Sequence, residues 1–119
     1  MKYCWTTLMV KDIEISSAFY RDIVGLPVNR RFSAGPETEI VFLGSGDTQV
    51  ELIQRKGVNP MVGNAISLGF AVDSLDDTLA FIANQGIAVA DGPFQPNEHI
   101  KFFYVRDPDG VSIQFSESM

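Results

Sequence analysis

Apolar and polar residues alternate from Tyr3 to Val10, and a period of two predicts a strand. From Asp12 the period lengthens. Ile15, Ala18, Phe19 and Ile23 recur at helical spacing, so a helix with that buried stripe is expected to about Val24. Asp12 is its candidate cap and Gly25 its stop. Alternation returns in three runs, Pro27 to Phe32, Glu39 to Leu43 and Thr48 to Gln54, separated by turns that contain Gly or Pro. Arg55 to Asn64, with Gly57, Pro60 and Gly63, reads as a connector. The order then begins again with a strand from Ile66 to Val72 and a cap at Asp73 or Ser74. A helix follows, burying Leu75, Leu79 and Ile82 and ending at Gly86. Ile87 to Ala90, Lys101 to Val105 and Val111 to Ser116 are expected as strands, with Asp91 to His99 as a loop.

Two halves superpose on this reading. Val10-Lys11-Asp12-Ile13 lies over Val72-Asp73-Ser74-Leu75 at a shift of 62 residues, and Ala18-Phe19 over Ala80-Phe81 at the same shift. Val50-Glu51-Leu52 meets Ile113-Gln114-Phe115 at a shift of 63. The predicted class is α+β: two tandem βαβββ modules, about 1–56 and 65–119 with a connector at 57–64, within a single domain 1–119. Two such units can join their strands into a curved mixed sheet around a cavity, with the helices outside. Strand parity supports this arrangement. Cys4, Thr6, Leu8 and Val10 share the helix-facing side of the first strand, and Tyr3, Trp5, Thr7 and Met9 the other. In the fifth strand Ile66, Leu68, Phe70 and Val72 should meet the helix, while Ser67, Gly69 and Ala71 face inward and leave room for a ligand.

Composition narrows the class. At 119 residues, with 45% hydrophobic and 11% aromatic content, the chain can bury one real core. A net charge of −6 and a pI near 4.5 argue against a nucleic-acid footprint. They are compatible with a cationic ligand. No apolar run reaches the roughly 18–20 residues of a membrane span, and no signal-peptide pattern opens the sequence. A cytoplasmic, reducing setting is the expectation, with the one cysteine, Cys4, a small buried hydrophobe.

The order of elements, together with Ala18-Phe19-Tyr20-Arg21-Asp22-Ile23-Val24-Gly25-Leu26 and the closing Arg106-Asp107-Pro108-Asp109-Gly110-Val111-Ser112-Ile113-Gln114-Phe115, resembles the vicinal oxygen chelate superfamily. That group holds glyoxalases, extradiol dioxygenases, epimerases and bleomycin-resistance proteins. The resemblance implies metal-ligand positions at Trp5, Glu51, Ser67 and Gln114, where metal-using members place His, Glu or Gln. Of these only Glu51 is a charged ligand. Gln114 is a neutral oxygen donor, Ser67 a poor one, and the indole of Trp5 only donates. No transition metal or other cofactor is therefore expected. The resemblance also implies a homodimer.

Trp5 reads as a stacking platform or as core filling. Glu51 reads as a proton-transfer base, as the partner of a cationic ligand group, or as the partner of Arg30 or Arg31. Gln114 would orient a ligand or hydrogen-bond Glu51, and Phe42, Phe94 and Tyr104 would line the cavity. His99, the one histidine, lies in a polar loop where an isolated surface role is the plainer reading. Three functions stay open: a metal-free protein binding an aromatic or cationic small molecule, a glyoxalase- or epimerase-like lyase or isomerase using Glu51, and an interaction module with a closed cavity. Neither a nucleic-acid nor a membrane partner is expected.

Overall fold

The computed structural model describes all residues, 1–119, as two compact units, Met1–Met61 and Val62–Met119. In the first unit, β1 (Trp5–Met9) leads into α1 (Ile13–Ala18), which continues as a π-helical turn, Phe19–Ile23. Three strands follow, β2 (Val28–Ser33), β3 (Thr38–Leu43) and β4 (Gln49–Arg55). The second unit repeats the order with β5 (Ser67–Ala71), α2 (Leu75–Asn84), β6 (Asp91–Asn97), β7 (Ile100–Arg106) and β8 (Ser112–Ser118). Each unit has its own four-stranded mixed sheet, ordered β1-β4-β3-β2 in one and β5-β8-β7-β6 in the other. The first strand of each pairs parallel with the last, and the remaining pairs are antiparallel. This is the expected tandem βαβββ fold.

Within each unit the helix covers one face of the sheet, and the core lies there. Val41, Leu43, Val50 and Leu52 are buried on that side in the first unit. Their repeat partners Phe103, Val105, Ile113 and Phe115 are buried in the second. Burying a side chain of this size contributes about 1.5–3 kcal/mol, so these rows supply the main cohesion of each unit. The helix starts repeat as well. Asp12 accepts from the backbone N–H groups of Glu14 and Ile15 at 3.0 and 3.2 Å, and Ser74 from that of Asp77 at 3.1 Å. A strand side chain satisfies the first helical N–H in each unit: Ile13 donates to Gln54 at 2.8 Å and Leu75 to Glu117 at 2.6 Å. Helix starts leave such donors without an intrahelical partner, so both halves meet the same requirement in the same way.

Four local expectations are corrected. Ile15 is 57% exposed; of the expected stripe Phe19 is buried, and the other buried positions are Ile13, Ser16, Ser17 and Tyr20. Two of those positions carry serine, so hydrophobicity alone selects the wrong phase. Cys4 is exposed, because regular pairing of β1 begins only at Trp5. Ile66, assigned to the helix side, is 72% exposed and precedes β5. Ile87 to Ala90 form no strand, and β6 occupies Asp91–Asn97, where a loop was expected. Pro93 and Pro96 are tolerated there because β6 is an edge strand whose pairing with β7 shifts register twice. The closing turn agrees with its sequence. Asp107 accepts through Oδ1 from the N–H groups of Asp109 and Val111, both at 2.9 Å, while Gly110 takes φ +94°.

Candidate ligand-binding faces

The sheet face turned away from the helix carries the candidate residues in each unit. In the first, one lateral row runs Thr7, Glu51, Phe42, Arg30 across β1, β4, β3 and β2, since each is the register partner of the next. Glu51 is 9% exposed, and its Oε1 accepts the hydroxyl hydrogen of Thr7 at 2.5 Å. Beside it lies Phe42, buried and flanked by two half-exposed aromatics. Trp5 meets Phe42 edge-on with ring centroids 5.4 Å apart, and Phe32 stacks on it at 6.3 Å and 15°. The Arg30 guanidinium carbon sits 4.3 Å from the Phe42 centroid and 5.7 Å from that of Phe32. Such geometry is a cation–π contact, worth about 0.5–1 kcal/mol at an exposed site.

Neither arginine of β2 pairs with Glu51. Arg31 points to the helix side, where it binds Glu39 at 2.9 Å and also Glu14. Those two carboxylates raise the Arg31 pKa, and the Arg31 hydrogen bond, then that of Ser33, lowers the pKa of Glu39. Adjacent residues face opposite sides as pleating requires, but a bulge between Val28 and Arg30 decides which of them faces the rings. Without the extra residue the register would slip by one and Arg30 would take the helix side.

In the second unit the equivalent row is Gly69, Gln114, Tyr104, Asp91. Gln114 donates from Nε2 to the Tyr104 hydroxyl at 3.2 Å. The carbonyl end of that amide lies so close to Gly69 that an added Cβ would approach it to 3.3 Å. Phe94, Phe102 and Tyr104 form an aromatic chain with centroids 5.6 and 5.9 Å apart. Ser67, Gly69 and Ala71 are exposed on this unit.

The sequence-selected residues thus fall into two groups. Trp5, Glu51 and Phe42 come together on the first sheet, and Ser67, Gln114, Phe94 and Tyr104 belong to the second. Gln114 hydrogen-bonds Tyr104, not Glu51. His99 stays exposed in the turn between β6 and β7, 3.6 Å from Glu98. No three His, Cys, Asp or Glu side chains cluster as metal ligands. Thr7 and Phe32 were not singled out from sequence, and Arg30 only as a partner for Glu51. Thr7 shares parity with Trp5, and Phe32 lies 62 residues before Phe94, so both were within reach. The side that Arg30 faces was hidden by the bulge.

The paired βαβββ units, each with an open face rich in aromatic and polar side chains, define the vicinal oxygen chelate class. The chain belongs to the Glyoxalase/Bleomycin resistance protein/Dioxygenase superfamily, whose family model matches residues 2–115. It is 30% identical over 128 residues to the lactoylglutathione lyase of Salmonella typhimurium, covering 99% of this chain and 93% of the lyase. The fold matches the trypanothione-dependent glyoxalase I of Leishmania major with a TM-score of 0.82 at 23% identity, over 97% of this chain and 85% of the other. It also matches TnmS3, an antibiotic binding protein from Streptomyces sp. CB03234, with a TM-score of 0.80 at 22% identity, over 100% of this chain and 97% of that one. No helix is long and apolar enough to cross a membrane.

Proposed function

We propose that this protein is a small-molecule binder of the superfamily that works without a divalent metal and takes an aromatic ligand on the open face of its first unit. The observation that carries this reading is the group of Trp5, Phe42 and Phe32, of which Trp5 is 45% and Phe32 41% exposed. Aromatic faces left partly bare offer stacking worth about 0.5–1.5 kcal/mol beyond simple burial. Between the aromatic and cationic ligands that the sequence suggests, the face favours the aromatic. Its carboxylate, Glu51, is buried and bound by Thr7.

The residues at the family's ligand positions do not fit a transition metal. Trp5 has no lone pair to give, Ser67 would have to ionise, and Gln114 offers one neutral oxygen. Glu51 is the single anionic donor among the four. Binding on the aromatic face calls for no metal at these positions. Elemental analysis of the purified protein tests this directly, because one equivalent of zinc, nickel or iron would overturn it.

A thermal-shift screen of flat aromatic compounds, followed by Trp5 emission, tests the binding reading. At 100 times Kd a ligand adds about 2.7 kcal/mol, which such a screen detects. No stabilisation by any compound, with emission unmoved, would count against it. A second reading, a glyoxalase- or epimerase-like lyase or isomerase, is favoured by the 30% identity to a lactoylglutathione lyase. There Glu51 would move a proton to or from a carbon next to a carbonyl. Solvent-deuterium incorporation into such a substrate, abolished in Glu51→Gln, would establish it. A homodimer and a cytoplasmic setting complete the proposal. The dimer is tested by light scattering, where a single-chain mass would remove it.

A further inference from the structure

We infer that the ligand of the first unit is an aromatic carboxylate, with its ring on the Trp5–Phe42–Phe32 group and its anionic end on Arg30. This rests on the aromatic-binding reading above and names the ligand's charge. Three observations carry it. Arg30 is the one arginine placed over aromatic rings, at 4.3 and 5.7 Å from the Phe42 and Phe32 centroids. Its neighbour Arg31 is committed to Glu14 and Glu39, and Arg21 is committed to Asp22. The Arg30 guanidinium, by contrast, makes no hydrogen bond or ion pair, so its N–H donors remain available while it rests against the rings. The bulge between Val28 and Arg30 aims it at this face.

Chemistry then selects the partner. A guanidinium presents five N–H donors in a planar fork that matches a carboxylate through two parallel hydrogen bonds. Its contact with the rings already restricts it, so less side-chain freedom is lost on binding. The competing charge on the row, Glu51, is buried and bound by Thr7, one strand beyond Phe42. A cationic ligand would meet the exposed Arg30 before it reached that carboxylate. A flat acid whose ring lies against the exposed Trp5 and Phe32 satisfies both the apolar group and the fork.

The test uses the full chain and four probes that share one ring: 2-naphthoate, 2-naphthamide, 2-naphthyl phosphate and 2-naphthylmethylammonium. Calorimetry at low salt should show 2-naphthoate binding at least about tenfold tighter than the amide, the ratio expected of one charge-assisted contact of roughly 1.4 kcal/mol. Arg30→Met should bring the acid and the amide to about equal affinity, while Arg30→Lys should restore part of the advantage. Thermal unfolding of both variants reports whether they fold. Equal binding of acid and amide, or an advantage that survives Arg30→Met, would overturn the charge assignment and leave the aromatic reading standing. Tighter binding of the phosphate or the ammonium would also overturn it. If no probe binds and Trp5 emission is unmoved, the aromatic reading falls and takes this inference with it.

Discussion

The two open faces occupy equivalent places in a repeated fold and carry different chemistry. On the first sheet the row Thr7, Glu51, Phe42, Arg30 reads hydroxyl, carboxylate, phenyl, guanidinium. On the second, Gly69, Gln114, Tyr104, Asp91 reads bare backbone, amide, phenol, carboxylate. The helix sides differ far less, with the same four positions of β3–β4 and β7–β8 buried as apolar side chains. Even the acceptor for the first helical N–H recurs, as Gln54 and Glu117. Folding constrains the side that must exclude water and satisfy helix ends. The other side is free to vary, so function has to be read there.

The largest effect should come from the constrained side. Phe103→Ala removes a fully buried ring and should cost about 3–5 kcal/mol, measured as a fall in urea midpoint. Val41 is its repeat partner and equally buried, so Val41→Ala should also destabilise, by less, because fewer buried atoms are lost. A neutral outcome at either site would break the claim that both helix sides are packed alike.

Next comes Thr7→Val on the first open face. It leaves the Glu51 carboxylate without its hydrogen-bond donor and should cost about 1–3 kcal/mol. Adding Glu51→Leu should recover most of that loss, since replacing both partners by apolar groups is close to neutral. A double variant as unstable as Thr7→Val alone would show that the pair is not what ties this row together. The second face should respond more weakly. Tyr104→Phe removes one neutral hydrogen bond from Gln114, for a loss of about 0.5–1.5 kcal/mol.

How much of this was legible in the sequence follows the same division. Element order, both helix caps and the parity of Trp5, Glu51, Ser67 and Gln114 follow from local periodicity, which repeats at shifts of 62 and 63. The buried phase of α1 was not legible, because Ser16 and Ser17 occupy positions that an apolar stripe would fill. Strand β6 was hidden by Pro93 and Pro96, which only an edge position accommodates. The side that Arg30 faces was not legible for a third reason. A bulge changes which of two adjacent arginines faces the rings, and nothing in Val28-Asn29-Arg30-Arg31 announces where the extra residue falls.

The smallest effect separates those two arginines. Glu39 is held below its ordinary carboxylate pKa by the Arg31 hydrogen bond first and by Ser33 second. A carboxylate depressed in the folded state stabilises the protein above its unfolded pKa, and that contribution is lost as pH falls through the folded value. Because the pair is exposed, the effect should be slight and should shrink in salt. Glu39→Gln should therefore flatten the acid limb of the stability profile a little. Arg31→Met should flatten it in the same way, and Arg30→Met should leave it unchanged. Equal flattening by both arginine variants would mean that Arg30 also serves a carboxylate of the fold, and its donors would no longer be available to a ligand.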